Sequence, residues 1–92
     1  MATYFMFGKY SLDAMRVVSA KRTADAIALI KQYGGELKSG YALLGDIDLV
    51  LIVDLPDTEH AMKTSAVLNQ MLGISFTTAP AVCMEDFDQL LA

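Results

Sequence analysis

The sequence is poor in several features that define large classes of protein. It has one cysteine, Cys83, and no tryptophan in 92 residues. A single cysteine excludes an internal disulfide and fits a reducing compartment. No apolar run approaches the roughly 18 to 20 residues that span a bilayer, and no basic segment precedes the first apolar stretch as in a signal peptide. These absences predict a cytosolic (cytoplasmic) protein that does not enter a membrane.

Positive charge is also scarce. Seven basic residues stand against 11 acidic ones, for a net charge of −4, and the basic residues are scattered along the chain. Nucleic-acid binding needs a basic stripe that follows the phosphates, so no nucleic-acid partner is expected. The chain also lacks a glycine-rich phosphate loop, a catalytic triad and the cysteine and histidine spacing of a metal site. No cofactor and no metal are therefore predicted.

Apolar residues are what the sequence has in surplus. They make up 54% of the chain, and the mean hydropathy is +0.40. A chain of this length is expected to form a single domain over residues 1–92, with a modest core that self-association often supplements. The surplus itself points to an oligomer.

Hydrophobic periodicity and turn signals predict the order of the elements. The pattern predicts strands over 3–9, 36–44, 48–54 and 74–79, a short helical turn at 11–13, a helix from a Ser19 cap to Gly34, a helix from an Asp57 cap to Gly73, and a terminal helix over 85–91. A tight turn at 45–47 joins the middle strands, and Pro80 is expected to interrupt the last one. This order predicts an α+β, ferredoxin-like fold, a split β-α-β with a four-stranded antiparallel sheet, two helices on one face and an extra C-terminal helix.

Each main helix has an expected buried face. In the first helix it comprises Ala20, Ala24, Ile27, Ala28 and Lys31, and in the second Ala61, Met62, Ser65, Leu68, Met71 and Leu72.

Two of the strands are apolar on both sides. Because successive side chains of a strand point to opposite faces, Leu51 and Val53 line one face while Val50 and Ile52 line the other. Helices can cover one face of the sheet, and the other face then needs a partner molecule. We therefore expect a homodimer whose sheets pack together, a dimeric α+β barrel, or a larger assembly of such dimers.

The chain resembles the GYD-domain proteins, small bacterial and archaeal chains with a ferredoxin-like fold that are placed near the dimeric α+β barrel group. The resemblance covers almost the whole chain and is carried by Lys9-Tyr10, Arg22, 34–38, Tyr41, 45–48, 56–58 and 73–80. The naming motif Gly-x-Tyr-Asp reads Gly45-Asp46-Ile47-Asp48 here, so isoleucine replaces its tyrosine. The resemblance implies the fold and self-association. Neighbours in the wider barrel group include monooxygenases, haem-degrading enzymes and lactone isomerases, but a shared fold does not transfer their chemistry.

Three residues are the candidates for a ligand-binding rim. Arg22 offers a guanidinium to an anionic ligand, or is an exposed helix residue beside a Lys21–Asp25 pair. If Asp48 faces inward beside Val50 and Ile52, burial would raise its pKa and make it the best single candidate for proton transfer. An aspartate in this place more often bonds backbone donors in a turn. Tyr41 has two interpretations: its hydroxyl and ring border a pocket, or the residue belongs to the core and the interface. A metal at Asp46 and Asp48 is disfavoured because a hard cation takes six or more oxygens.

His60 and Cys83 have mainly structural interpretations. His60 is the only histidine and falls in the first turn of a helix, where a polar residue is usually solvated. A haem or zinc site would need further ligands. Cys83 falls near the cap of the terminal helix, where packing is favoured over a reactive thiol because Glu85 and Asp86 oppose a thiolate.

Three functions remain open from the sequence. The first is a small homodimeric protein that binds a small apolar or anionic molecule. The second is an enzyme, cofactor-free or haem-dependent, related to the barrel monooxygenases and isomerases. The third is a structural or regulatory association module.

Overall fold

The computed structural model describes all 92 residues. The strands are β1 (Ala2–Tyr10), β2 (Glu36–Ala42), β3 (Leu49–Leu55) and β4 (Ile74–Ala81), and the helices are α1 (Leu12–Arg16), α2 (Ala20–Gln32), α3 (Thr58–Leu72) and α4 (Met84–Leu90). The strands form one sheet in the order β2-β3-β1-β4, and all neighbours are antiparallel. The predicted α+β, ferredoxin-like fold is confirmed. None of the helices is both long enough and apolar enough to cross a bilayer.

The ends of the two main helices follow from the residues the sequence singled out. The Ser19 side chain caps α2 by accepting from the backbone N–H of Arg22 at 3.2 Å, and Asp57 caps α3 by accepting from the N–H of His60 at 2.9 Å. Such side chains satisfy backbone donors that have no partner within the helix. At its other end, α3 stops at Gly73, whose φ of 69° lies in the left-handed region open to glycine.

The core lies between the sheet and the helices α2 and α3. Its buried members are Tyr4, Met6, Ile30, Leu49, Val53, Leu55, Ala61, Leu68, Leu72 and Ile74. They come from alternate positions of the strands and from one stripe of each helix, as expected for a two-layer domain.

The face predicted for α2 is mostly wrong. Ala20, Ala24, Ala28 and Lys31 are exposed and only Ile27 is partly buried, while Ile30 is fully buried and Leu29 packs against the core. The predicted face and the observed face both have helical spacing. The observed face, with Leu29 and Ile30, packs on the sheet because it buries more apolar area than a face made mostly of alanines.

The face predicted for α3 is only partly right. Met62 and Met71 are largely exposed, and Thr64 is buried instead. The Thr64 hydroxyl donates to the backbone carbonyl of His60 at 2.7 Å. That internal bond lets a polar side chain enter the core without an unpaired donor.

Two strand boundaries differ from the prediction. Pro80 does not interrupt β4, because it stays in register opposite Tyr4 and the strand continues to Ala81. β4 is an edge strand, where a missing N–H can face away from the neighbouring strand. The β2–β3 turn is wider than expected, since residues 43–48 all lie outside the strands. Gly45 in this loop has a φ of 135°, in the region that favours glycine.

The second side of the sheet, which we call the open face, carries no helix layer. Its apolar centre consists of Phe5 and Phe7 of β1, which pair in register with Ile52 and Val50 of β3. Tyr41 of β2 lies opposite Val50. The two phenyl rings are 6.3 Å apart between centroids. The prediction that these strands are apolar on both sides is confirmed.

Candidate functional site

Arg22 is placed by the first turns of α2, and its guanidinium is already engaged. Its Nη2 donates to the backbone carbonyl of Leu72 at 2.5 Å. Leu72 is the last residue of α3, and the final carbonyls of a helix lack intrahelical donors and carry partial negative charge. Arg22 therefore ties α2 to the end of α3. The neighbouring Lys21–Asp25 pair forms as expected, at 3.0 Å.

A small cavity lies beside Arg22, between α2 and the sheet. Tyr10, Leu49, Leu72 and Ile74 are among the side chains that line it, and its water-accessible space is about 50 Å³. That volume holds a few water molecules, whereas ligand pockets start at roughly 300 Å³. The space between α2 and the sheet is therefore too small for an ordinary small-molecule ligand. A more open cleft of about 440 Å³ lies between α3 and β4, and Ala61, Phe76 and Thr78 are among its lining residues.

Asp48 takes the backbone-bonding role. Its Oδ2 accepts from the backbone N–H of Tyr10 at 2.9 Å, and its own N–H donates to the carbonyl of Gly8 at 2.9 Å. These bonds fasten the β2–β3 loop to the end of β1. No group of three or more histidine, cysteine and acidic side chains is placed to hold a metal ion.

Tyr41 lies on the opposite side of the sheet from Arg22. It is on the open face and 60% exposed, whereas Arg22 and Tyr10 border the cavity on the helix side. Asp48 adjoins that cavity only through its bond to the Tyr10 backbone. The structure thus does not bring the three sequence-derived candidates together around one space.

His60 and Cys83 occupy the positions that the sequence indicated. The His60 ring Nδ1 lies 2.6 Å from Asp57 Oδ1, and both side chains are about half exposed. The backbone hydrogen bond from His60, followed by its ring hydrogen bond, holds the pKa of Asp57 below the usual 3.8. Cys83 is the N-cap residue of α4, is exposed, and makes no capping hydrogen bond with its side chain.

The open face is the surface with the composition of a binding site. Its apolar centre is bordered at one end by a polar group in which the Thr3 hydroxyl donates to Asp54 at 2.7 Å and Lys38 Nζ lies 3.6 Å from the same carboxylate. At the other end Lys9 of β1 is exposed. An apolar centre with a polar rim is typical of a protein interface. Sequence reasoning found the apolar centre but missed Lys9 and Lys38 as rim residues; the alternation of β1 already placed Lys9 on the side of Phe7.

A second apolar surface is continuous with the open face. In α4 and the residues next to it, Met84, Leu90 and Leu91 are each more than 70% exposed and Phe87 is 45% exposed. A cleft joins this helix to the sheet, lined by the start of β1, including Phe5, and by Val82 and Asp86.

Comparison with known proteins gives a family and a fold. A family model described as the GYD domain matches residues 2–91. The search of curated proteins found no match. Among solved structures, the chain is similar to the crystal structure of the Mycobacterium tuberculosis leucine response regulatory protein (LrpA), with a TM-score of 0.59 and 12% identity over 90% of this chain and 51% of that chain. It is also similar to the crystal structure of a glutamate-to-alanine mutant, with a TM-score of 0.59 and 13% identity over the same shares. The chain thus spans about half the length of both, and at these identities the likeness shows the fold alone.

Proposed function

The chain belongs to the GYD-domain family, and on that premise we propose that it acts as a homodimeric binding protein. Two copies pack their open faces together, and the space between the two sheets holds a small apolar molecule that carries an anionic group.

The observation that carries this proposal is the apolar centre of the open face. Phe5, Phe7 and Ile52 lie on a surface that no helix of the same chain covers. Large apolar side chains on a sheet surface are stabilised by removal from water, at about 25 cal/mol per Å². A second copy supplies a matching surface, since a two-fold interface uses the same patch on both partners.

The spaces within the single chain support a ligand position between the two sheets. The cavity beside Arg22 is too small, and the cleft between α3 and β4 has no basic side chain to meet an anionic group. Aromatic side chains line the space between the two sheets, and they favour an apolar ligand. Lys9 is exposed at one end of the open face and forms no ion pair within the chain. Its ammonium is therefore available to an anionic group of the ligand.

Sedimentation equilibrium tests the dimer. The wild-type chain is expected to sediment with twice its chain mass of 10.0 kDa. Ile52→Glu places a charge in the centre of the open face, so it should give a folded monomer. Leu12→Glu is the matched control, because Leu12 is 70% exposed on α1, and it should leave the dimer intact. An Ile52→Glu variant that dimerises as tightly as the control would contradict the proposal.

Titration with anilinonaphthalenesulfonate, a fluorescent apolar anion, tests the ligand site. One binding event per dimer is expected, and Lys9→Gln should weaken it about tenfold, which corresponds to a lost ion contact of about 1.4 kcal/mol. Uncharged naphthalene derivatives should be insensitive to Lys9→Gln. A dimer that binds no probe would refute the ligand and favour the association module.

A further inference from the structure

We infer that α4 is an arm that docks on a second copy of the chain and closes one end of the space between the two sheets. This inference rests on the proposed pairing of open faces and assigns a role to a helix that this pairing does not by itself require.

Within its own chain α4 packs only weakly. None of its residues is buried. Met84, Leu90 and the C-cap Leu91 are largely exposed, and Phe87 is about half exposed. The domain measures 48 × 30 × 18 Å along its principal axes. A backbone thickness of 18 Å accommodates a sheet and one helix layer, since packed layers lie about 10 Å apart. The helix α4 therefore does not lie over its own open face as a third layer.

The position of α4 makes it continuous with the proposed interface. The cleft at its first turn is lined by Phe5 and Thr3 of the open face together with Val82 and Asp86. A molecule that covers Phe5 therefore reaches the base of α4 through a cleft whose lining is mostly apolar, with Thr3 and Asp86 as its polar members.

Interface area favours a second copy as the occupant. The four apolar side chains of α4 and its C-cap expose on the order of 500 Å², taking about 180 Å² for a fully exposed large side chain. A stable complex buries about 800 Å² on each partner. The centre of the open face is already partly buried, so it supplies only part of that area, and α4 makes up much of the remainder. In a two-fold pair each arm covers the partner, so one contact type is made twice.

A tryptophan probe tests where α4 lies. The chain contains no tryptophan, so Phe87→Trp introduces a single fluorophore on the apolar side of α4. Its emission should move to shorter wavelength as the protein concentration crosses the dimer transition found by sedimentation. Met62→Trp is the control, because Met62 is 68% exposed on the helix side of the domain, and its emission should not change with concentration.

The outcomes separate this inference from the proposed function. If the mass doubles while the emission of Phe87→Trp stays that of a solvated side chain, the arm does not dock and only the proposed pairing stands. If the emission is already blue-shifted at concentrations where the chain is monomeric, α4 folds on its own domain, which also overturns the inference. If the mass never doubles, both proposals fail. A second variant, Phe87→Ser with Leu90→Ser, should raise the dimer Kd at least about tenfold without unfolding the monomer, and an unchanged Kd would count against docking.

Discussion

Ile52 and Val53 are neighbours on β3 whose side chains lie on opposite faces, so truncating each to alanine separates association from folding. Val53 is fully buried in the core between sheet and helices. Ile52 pairs with Phe5 in the centre of the open face and is only partly buried. The two substitutions therefore remove similar amounts of apolar side chain from the same strand but from different environments.

The expected magnitudes follow from the atoms removed. Ile52→Ala deletes three carbons, worth about 2.4 kcal/mol if all were newly buried on association, at about 0.8 kcal/mol each. Because Ile52 is already partly covered in the single chain, about 1 kcal/mol per copy is expected. A two-fold dimer contains the site twice, so the loss is about 2 kcal/mol, or roughly 30-fold in Kd. Val53→Ala should instead lower the free energy of unfolding of each chain by about 2 to 3 kcal/mol, through lost burial and the cavity left behind.

Sedimentation equilibrium measures the Kd, and urea unfolding at concentrations below the Kd measures the stability of the single chain. The reasoning predicts that Ile52→Ala changes mainly the first quantity and Val53→Ala mainly the second. An Ile52→Ala variant with an unchanged Kd, or a wild-type chain that remains at 10.0 kDa at micromolar concentration, would refute it.

Three further predictions concern the single chain. Gly35→Ala should lower the free energy of unfolding by about 1 to 3 kcal/mol, because an added Cβ would lie 2.5 Å from Leu55 Cδ2. Urea unfolding measures this free energy. An unchanged value would show that the core around Leu55 rearranges to accept the extra methyl group. Arg22→Met should lower the free energy of unfolding by about 1 to 2 kcal/mol in the same assay, because it removes a charge-assisted hydrogen bond to the last carbonyl of α3. An unchanged free energy would mean that water replaces the guanidinium as the donor to this carbonyl. Asp57→Ala should lower the Tm at neutral pH by removing the cap of α3. Since hydrogen bonds from His60 hold the pKa of Asp57 below 3.8, the stabilisation is present above that pH and lost as the pH falls through the lowered pKa. The Tm difference should therefore close in acid, and a difference that persists there would contradict the role of the carboxylate.

The fold was predictable because its signals are local and agree with one another. Helix caps at Ser19 and Asp57, the stop at Gly73 and the two-sided apolar pattern of β3 each depend on a few neighbouring residues. Pro80 was misjudged because its effect depends on whether its strand lies at the edge of the sheet. That position is a property of the strand order, which no local pattern contains.

The candidate site was less predictable because it depends on which long-range partners each side chain meets. Arg22 as a residue type suits an anion, but the carbonyl of Leu72, 50 positions along the chain, takes its guanidinium. Tyr41 and Arg22 both carry polar groups that could bind a ligand, yet they lie on opposite sides of the sheet. The face of α2 failed for a related reason, since two stripes had the required spacing and the amount of apolar area decided between them.

The two margins of the sheet bear on how far assembly can proceed. One margin, β2, is irregular between Leu37 and Ser39, and the other, β4, contains Pro80. Bulges and prolines are the devices by which natural proteins discourage the addition of further strands. Because both edge strands carry such a feature, growth of the sheet by addition of further strands is disfavoured. In the proposed pair, one partner covers the whole broad side of the sheet, so an assembly built in this way would stop at two copies and would not grow into an open-ended fibre.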